Sequence, residues 1–367
     1  MACSCLHVSC WWGVFCKWCP LNEWFILHDA KLPSMKTVHL VIPDLFLPQE
    51  FAAEICAGLR LPALGKMLAR GRSEILGVVT PESHLAGLFG LPAGAGIAAL
   101  GAAFDGLGEG HWLRADPVHL SLQREQLVLL PEVAVSADEA AGFCASLNGH
   151  FAGQGMEFFA PHPQRWYVRL DEAPDIETVP LSQASGRNVR GLLPRGAAAM
   201  HWHRLFNEIQ MLLFAHPANA LREERGELPV NSVWLWGGGQ AGMALQKTCG
   251  SAGSDEVLAG MFAAAAGVPF IGWPPQWPGA VDGTQLLVWN GLRSALQRGD
   301  LQAWRDALQA FEAGYAQPLW EALRDGTISQ LQLDVPGGNH ARRIRLGRRD
   351  TWAFWRRTRP LAEYSVV

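Results

Sequence analysis

Short apolar runs alternate with segments of helical periodicity along most of the chain. Runs of β-branched and aromatic residues predict strands at 38–44, 112–116, 127–130, 166–170, 230–236, 285–289 and 328–333. Apolar positions with helical spacing predict helices at 62–70, 81–90, 136–147, 202–214 and 258–266, and one helix or a helix pair at 301–323. Residues 171–200, rich in Pro, Gly and Ser, predict a loop or an inserted segment. This alternation predicts an α/β protein with a mostly parallel or mixed sheet.

Composition limits the classes of partner. The 367 residues are 49% hydrophobic and 17% charged, so the chain can bury a large core, in roughly two domains at about 150 residues each. The net charge of -4 predicts no general attraction to nucleic acid or anionic lipid. No apolar run reaches the roughly 18 residues that a bilayer span needs. We therefore expect an anionic or phosphorylated small molecule, or a protein, as the partner, rather than a membrane or a nucleic acid.

The cysteines divide the chain into two parts. Three of the eight, Cys56, Cys144 and Cys249, are scattered among apolar residues, which predicts inert thiols in a reduced, cytoplasmic protein. The other five lie in the first nineteen residues, within a segment, 1–34, that has no clear period. We expect 1–34 to be a disordered leader or translated upstream sequence. Zinc binding by its cysteines is the alternative, and a signal peptide is excluded because no basic stretch precedes an unbroken apolar one.

Three local features carry candidate chemistry. Asp44 ends the first predicted strand, at the edge of an α/β sheet where ligands bind. Ser83 lies at a turn before a predicted helix, where the helix N-terminus favours a phosphate or an activated alkoxide, although capping is the commoner use of such a serine. The run Gly237–Gly239 follows a predicted strand, and its backbone N–H groups could approach an anion or simply form a tight turn.

The C-terminal region is rich in arginine. Eight arginines lie between residues 342 and 359, interleaved with Trp352, Phe354 and Trp355. Arginine beside aromatic side chains is one way to bind nucleic acid, but the acidic total charge disfavours it. We expect a solvated edge, or a site for a phosphate or a partner.

Several segments together resemble the cofactor-independent phosphoglycerate mutases of the archaeal type. The stretch from 216 to 239, with His-Pro-Ala-Asn, two arginines and Pro-Val-Asn before the glycines, is similar to a characteristic stretch of that family. Pro81-x-Ser83-x-x-Ala86 looks like the turn that carries the family's nucleophilic serine. Asp44 stands where the family has a metal-binding aspartate, and 112–116 is similar to another family strand. The whole body also resembles the bacterial RpfE-type regulatory proteins, themselves mutase-like.

This resemblance implies a fold of the alkaline-phosphatase superfamily. We expect an α/β, alkaline-phosphatase-like sheet flanked by helices, built from 35–120 and 281–367, with a smaller inserted α+β lid subdomain at 121–280. It also implies Ser83 as the nucleophile and Asp44 as a metal ligand.

The metal ligands of the family are largely missing. The family binds two divalent ions with an Asp-x-x-x-His pair after a late strand and an Asp-His pair after the last. Here the strand at 286–289 is followed by no carboxylate or imidazole until Asp300, and no Asp-His pair follows 331–335. His84 also replaces a family aspartate. Because loss of one preorganised electrostatic partner costs about 2.7–4 kcal/mol, we expect no metal-dependent mutase activity and no cofactor.

The resulting hypothesis is a mutase-like protein that has lost its two-metal centre. It would act as a regulatory protein or bind an anion or phosphometabolite. The expected anion site consists of Arg114, Arg222, Arg225, Asn231, Gly237, Gly238 and Gly239. The alternative is an active 2,3-bisphosphoglycerate-independent phosphoglycerate mutase or phosphohydrolase that uses Ser83 with Mn or Zn. A third possibility is a scaffold without a ligand.

Overall fold

The computed structural model describes residues 35–92, 96–131, 133–239, 244–337 and 341–365. The strands are β1 (Thr37–Val41), β2 (Arg72–Ile75), β3 (His111–Gln123), β4 (Gln126–Leu130), β5 (Met156–His162), β6 (Arg165–Leu170), β7 (Ser232–Trp236), β8 (Ser251–Ser254), β9 (Phe270–Gly272), β10 (Thr284–Val288), β11 (Gln330–Val335) and β12 (Arg342–Gly347). The predicted leader 1–34 lies outside the described residues.

The helices fill the intervals between these strands. They are α1 (Gln49–Ile55), α2 (Pro62–Arg70), α3 (Pro81–Leu88), α4 (Ile97–Phe104), α5 (Ala137–His150), α6 (Leu181–Ala184), α7 (Ala199–Phe214), α8 (Pro217–Glu224), α9 (Val257–Ala265), α10 (Arg293–Gln297), α11 (Leu301–Phe311) and α12 (Gln317–Asp325). A π-helical turn, Glu312–Ala316, joins α11 to α12. In the described part of the chain, no helix combines the length and apolar character needed to cross a membrane.

The larger sheet has seven strands in the order β2-β12-β11-β1-β10-β8-β9. The five strands from β11 to β9 are parallel, and β12 and β2 continue the sheet antiparallel. Helices cover both faces of this sheet, as in other sheets with parallel strands. On one face Val38 and Leu40 pack with α2, α11 and α12, and on the other Val41 packs with α3 and α9. The predicted α/β class is confirmed.

The smaller sheet is antiparallel and lies between α4 and β8 in the sequence. Its path is β4-β3-β6-β5, and β7 pairs with β3 as well. Helices α5 and α7 pack on it around Phe143, Trp166 and Ile209. The long strand β3 tolerates Pro117 in its middle, where the register partner is Val233 of β7.

The membership of the two sheets differs from the predicted boundaries at 120 and 281. Strand β3 belongs to the smaller sheet from His111 onward, whereas β8 and β9, at 251–272, belong to the larger one. The reason is visible in β8, whose residues Ser-Ala-Gly-Ser carry no β-branched or aromatic side chain, so periodicity does not reveal a strand. The strands of the inserted sheet lie between His111 and Trp236.

Candidate functional site

A pocket lies where the carboxyl ends of β1 and β10 meet the inserted sheet. Its volume is about 230 Å³, which suits a small metabolite. Five charged residues line it: Arg114 and Asp116 on β3, Glu82 on α3, Glu256 at the start of α9 and Arg293 on α10. The carboxyl edge of parallel strands is the usual place for a ligand in open α/β sheets. We therefore treat this pocket as the candidate functional site.

Arg293 forms the electrostatic centre of the pocket. It is the first residue of α10, five residues after the end of β10, and 18% of its side chain is exposed. Its Nε donates to Asp44 Oδ2 at 3.0 Å, and its Nη1 lies 3.8 Å from Glu82 Oε1. Burial alone would lower the pKa of Arg293, but the charges of Asp44 and Glu82 outweigh it and raise the pKa. A permanent cation therefore stands between two carboxylates.

Asp44 is held in a rare backbone conformation. Its φ is 60°, in the left-handed region that non-glycine residues seldom adopt, and such residues concentrate at functional sites. The indole Nε1 of Trp304 lies 3.4 Å from its carbonyl oxygen. The predicted metal ligand is thus placed at the pocket rim, but in this structure its carboxylate is the ion-pair partner of Arg293.

Two further carboxyl groups follow β8 at the same edge. Asp255 Oδ1 accepts from the backbone N–H of Asn290 at 2.7 Å, and Glu256 caps the N-terminus of α9. Burial raises the pKa of both carboxyl groups. The nearby charge of Arg293 acts to lower the same pKa values, but its effect is smaller. Each group therefore ionises less readily than an exposed carboxyl group does.

Arg114 and Asp116 form the opposite wall. Both lie on β3 and are buried, and Arg114 Nε donates to Asp116 Oδ1 at 3.1 Å. Trp236 Nε1 donates to the other carboxylate oxygen at 2.7 Å. The guanidinium also lies over the rings of Tyr167 and Trp236, 5.2 and 5.4 Å from their centroids. This cation is therefore fixed in place and faces the cavity with its charge partly balanced.

The side chain of Ser83 forms part of a helix cap. Its backbone N–H donates to Thr80 Oγ1 at 3.0 Å, and its own Oγ accepts from the Thr80 backbone N–H at 3.0 Å. This reciprocal arrangement is a capping box at the start of α3. The Ser83 side chain is exposed and does not line the pocket. The preceding residue, Glu82, lines it instead.

The two arginines predicted for anion binding lie elsewhere. Arg222 is 1% exposed and donates to Glu139 Oε2, to the Leu228 carbonyl and to the Ala134 carbonyl, at 2.9, 2.9 and 2.7 Å. Arg225 donates to Glu139 Oε1 at 2.7 Å and to Glu227 Oε2 at 2.9 Å. These contacts tie α8 to the N-terminus of α5, and neither arginine lines the pocket.

Asn231 and the glycine run support the inserted sheet. The Asn231 amide exchanges hydrogen bonds with the backbone of Leu120, at 2.7 and 2.9 Å. Gly237, with a φ of 75°, accepts from the Ala98 N–H at 2.9 Å, and a Cβ there would lie 3.7 Å from Arg114 Cγ. A Cβ on Gly238 would lie 2.5 Å from Leu113, and Gly239 has a φ of 152°. Of the predicted anion site, the structure places Arg114 in the pocket and Gly237 beside it.

One cluster in the described ranges has the residue types of a metal site. The donor atoms of His39, His84 and Asp334 lie within 4.8 Å of one another. However, Arg343 donates to both Asp334 oxygens at 2.7 Å, and the two imidazole Nε2 atoms lie 2.7 and 2.9 Å from Oδ2. Burial would raise the pKa of Asp334, but these four contacts hold it well below its usual range. The cluster is a satisfied ion-pair network.

The residues present do not fit the two-metal centre that the resemblance implies. Arg293 fills the space between Asp44 and Glu82, and Arg343 covers the carboxylate of Asp334. Two acidic residues further along the chain have other contacts: Asp300 caps α11, and Asp282 lies 3.8 Å from Lys36. The sequence did not predict Glu82 and Arg293 as site residues, because their positions in the chain do not indicate that the two side chains lie close together.

Fold and site together define the class of protein: an α/β protein with a mostly parallel seven-stranded sheet, an inserted antiparallel sheet and a charged pocket lined by residues of both parts. The PH0037 protein from Pyrococcus horikoshii shares the fold, with a TM-score of 0.53 at 13% identity over 91% of this chain and 93% of that one. The predicted fold class is confirmed.

The sequence relatives are phosphoglycerate mutases. The chain is 28% identical over 203 residues to the 2,3-bisphosphoglycerate-independent phosphoglycerate mutase of Methanosarcina mazei, which is 51% of this chain and 50% of that enzyme. It is 30% identical over 197 residues to a probable enzyme of the same name from Geobacter sulfurreducens. This match covers 50% of this chain and 49% of the Geobacter protein. The chain spans about half the length of the curated relatives it matches, and no family profile matches it. The chain is thus phosphoglycerate-mutase-like at low identity.

Proposed function

We propose that this chain is a mutase-like protein that binds an anionic or phosphorylated metabolite without metal-dependent phosphoryl transfer. The observation that carries the proposal is the guanidinium of Arg293, which pairs with Asp44 and approaches Glu82. A built-in cation among these carboxylates competes with any divalent ion for the same charges. A regulatory role, as the RpfE-type resemblance implies, is part of this proposal.

The positions of the serine and the arginines support binding rather than transfer. In phosphoryl transfer, metal ions neutralise developing charge and activate the attacking group. Here the Ser83 hydroxyl is hydrogen-bonded within its own helix cap, and no second metal-type cluster occurs among the residues that the structure describes. Arg114 and Arg293 present planar guanidinium groups to the pocket, and this shape suits carboxylate and phosphate oxygens.

The carboxylates around these arginines limit the ligand. Each guanidinium already has a carboxylate partner, so an incoming anion must share it. We therefore propose that the ligand places an acidic group at Arg114 and hydroxyl groups toward Ser182 and Asn290, which also line the pocket.

Isothermal titration calorimetry with 3-phosphoglycerate, 2-phosphoglycerate and inorganic phosphate tests this proposal. We expect one binding site in the unmodified protein. Arg114→Lys retains the charge beside Asp116 but loses the bidentate geometry, so affinity should fall at least tenfold, in line with roughly 1.5–3 kcal/mol for a hydrogen bond to a charged group. Arg190→Lys, at an exposed position outside the pocket, is the matched control and should bind normally.

Two results would overturn the proposal. The first is the absence of heat with all three compounds at millimolar concentration, which would leave a scaffold without this ligand. The second is Mn²⁺-dependent interconversion of the two phosphoglycerates that Ser83→Ala abolishes, which would establish the active enzyme.

A further inference from the structure

The C-terminal segment exposes three large aromatic side chains on one turn. Trp352, Phe354 and Trp355 are 66%, 76% and 70% exposed, and we call them the aromatic turn. Since such side chains offer 150–250 Å² each, together they present about 400 Å² of apolar surface, comparable to the largest patch on a typical monomer. Patches of this size mark interaction sites more often than chance exposure.

The aromatic turn is firmly attached to the fold. Arg70 Nη1 donates to the Thr351 carbonyl at 2.5 Å, and Arg356 Nη1 donates to the Arg70 carbonyl at 2.9 Å. Asp350 accepts from the Gly347 N–H at 2.8 Å, and Thr351 itself is buried. The backbone of the turn is therefore held against the end of α2 while the rings project into solvent.

Arginines surround the aromatic turn. Residues 342–359 contain eight arginines and one acidic residue, Asp350. Arg343 and Arg345 pair with Asp334 and Glu74, but Arg349 and Arg357 are exposed and have no carboxylate partner among the described residues. A local concentration of positive charge thus exists in a chain whose total charge is -4. Its complement is an anionic surface.

The orientation of the rings favours an anionic lipid bilayer over single-stranded nucleic acid as the partner. The Phe354 and Trp355 rings lie 5.4 Å apart at an angle of 78°, edge to face. The two ring faces are therefore far from parallel, whereas successive bases of a stacked single strand present roughly parallel faces. Projecting aromatic rings with arginines at their base suit the interface of a lipid bilayer, where the rings enter the headgroup region and the cations meet the phosphates.

We propose that the aromatic turn and the neighbouring Arg349, Arg356 and Arg357 form a peripheral contact with anionic lipid membranes. The contact is local, so it holds despite the net negative charge, and it departs from the partner classes expected from composition. It is independent of the pocket, which lies at the carboxyl ends of β1 and β10.

Vesicle flotation tests this contact, with phosphatidylcholine vesicles that contain about 30% phosphatidylglycerol compared with phosphatidylcholine alone. We expect the full chain to float with the anionic vesicles at low salt and to be released at high salt. The triple variant Trp352→Ser, Phe354→Ser, Trp355→Ser should bind at least about tenfold more weakly. Arg349→Ala with Arg357→Ala should weaken binding about fivefold per arginine, as expected for roughly 1 kcal/mol each near an anionic surface.

The matched control is Phe214→Ser, because Phe214 is 78% exposed on α7 and lies outside the arginine-rich segment 342–359. Circular dichroism verifies that each variant is folded. The proposal is overturned if the chain does not float with anionic vesicles at low salt, or if the triple variant and Phe214→Ser bind alike. Binding of a fluorescent oligothymidylate that the triple variant loses, without vesicle binding, would assign the surface to nucleic acid and also overturn it.

Discussion

We expect the charge of one side chain, Arg293, to determine whether the pocket can accept a divalent ion. Its replacement by alanine leaves Asp44 and Glu82 on either side of an empty space at the sheet edge. We expect Arg293→Ala to lower the free energy of unfolding by about 2 kcal/mol, because two partly buried carboxylates lose their cation. We also expect Mn²⁺ to raise the melting temperature of this variant but not that of the unmodified protein.

Thermal denaturation with and without Mn²⁺ measures both effects. Arg190→Ala serves as the control, since its side chain is exposed and does not line the pocket. An equal rise in melting temperature for the unmodified protein would show that a metal already binds beside Arg293, contrary to our interpretation.

Asp334 provides a test of pH dependence. Its pKa lies below its usual range in the folded protein, so the unfolded chain binds protons first as the pH falls. Its contribution to stability is therefore complete above the unfolded value of about 4 and is lost progressively as the solution becomes more acidic. Asp334→Asn, which leaves Arg343 without its carboxylate, should lower stability by about 3 kcal/mol at pH 7.

Urea denaturation between pH 3 and pH 7 distinguishes this role from a simple packing effect. The unmodified protein should lose more stability on acidification than Asp334→Asn, so that the two curves converge toward low pH. Parallel curves would show that the carboxylate charge of Asp334 is not what stabilises this part of the sheet.

The first turn of α3 depends on reciprocal hydrogen bonds between Thr80 and Ser83. Ser83→Ala removes one half of this capping box, so we expect it to lower the free energy of unfolding by about 1 kcal/mol. Ligand affinity in the pocket should remain unchanged, because the hydroxyl points to Thr80. Chemical denaturation and calorimetry on the same variant measure both quantities, and Thr80→Ala should give a similar loss of stability. A large loss of affinity with unchanged stability would mean that the hydroxyl acts on the ligand.

Elements with strong local signals could be predicted from the sequence. Helix α2 has Pro at its first position and a clear apolar face, and it begins and ends where predicted. Helix α5 follows its cap, Ser136, which is the first residue of the helix predicted at 136–147, and Glu139 completes a capping box. Strand β2, whose four residues are all exposed, and strand β8, made of small residues, carry no such pattern. They are strands only because neighbouring strands pair with them, and a single sequence does not show pairing.

The candidate site was predictable only in part, and for the same reason. Asp44 and Arg114 lie at or next to predicted strands, so the sequence places them near a sheet edge. The pairing of Asp44 with Arg293 joins residues 249 positions apart, and no local spacing indicates it. Arg222 and Arg225 lie in the stretch that resembles the mutases, yet Glu139 binds both of them within the inserted part. Charge type alone therefore does not separate a ligand-binding arginine from a structural one.

The two sheets meet through side chains that line the pocket. Ser182 Oγ, from the inserted part, donates to Glu82 Oε2 of α3 at 2.8 Å, and the Ala98 N–H of α4 donates to the Gly237 carbonyl at 2.9 Å. Because α4 packs on both α9 and β3, the sheets should unfold in a single transition. Ser182→Ala removes the bond to Glu82, so we expect a loss of about 1 kcal/mol without a second transition.

Differential scanning calorimetry checks this expectation through the ratio of the calorimetric to the van't Hoff enthalpy. A ratio near unity for both the unmodified protein and Ser182→Ala would mean that the shared pocket wall is part of one cooperative structure. Two separate transitions in the unmodified protein would show that the inserted sheet unfolds on its own. In that case the two parts would be independently stable. The apparent ligand affinity would then be reduced in proportion to the fraction of molecules in which both parts line the pocket together.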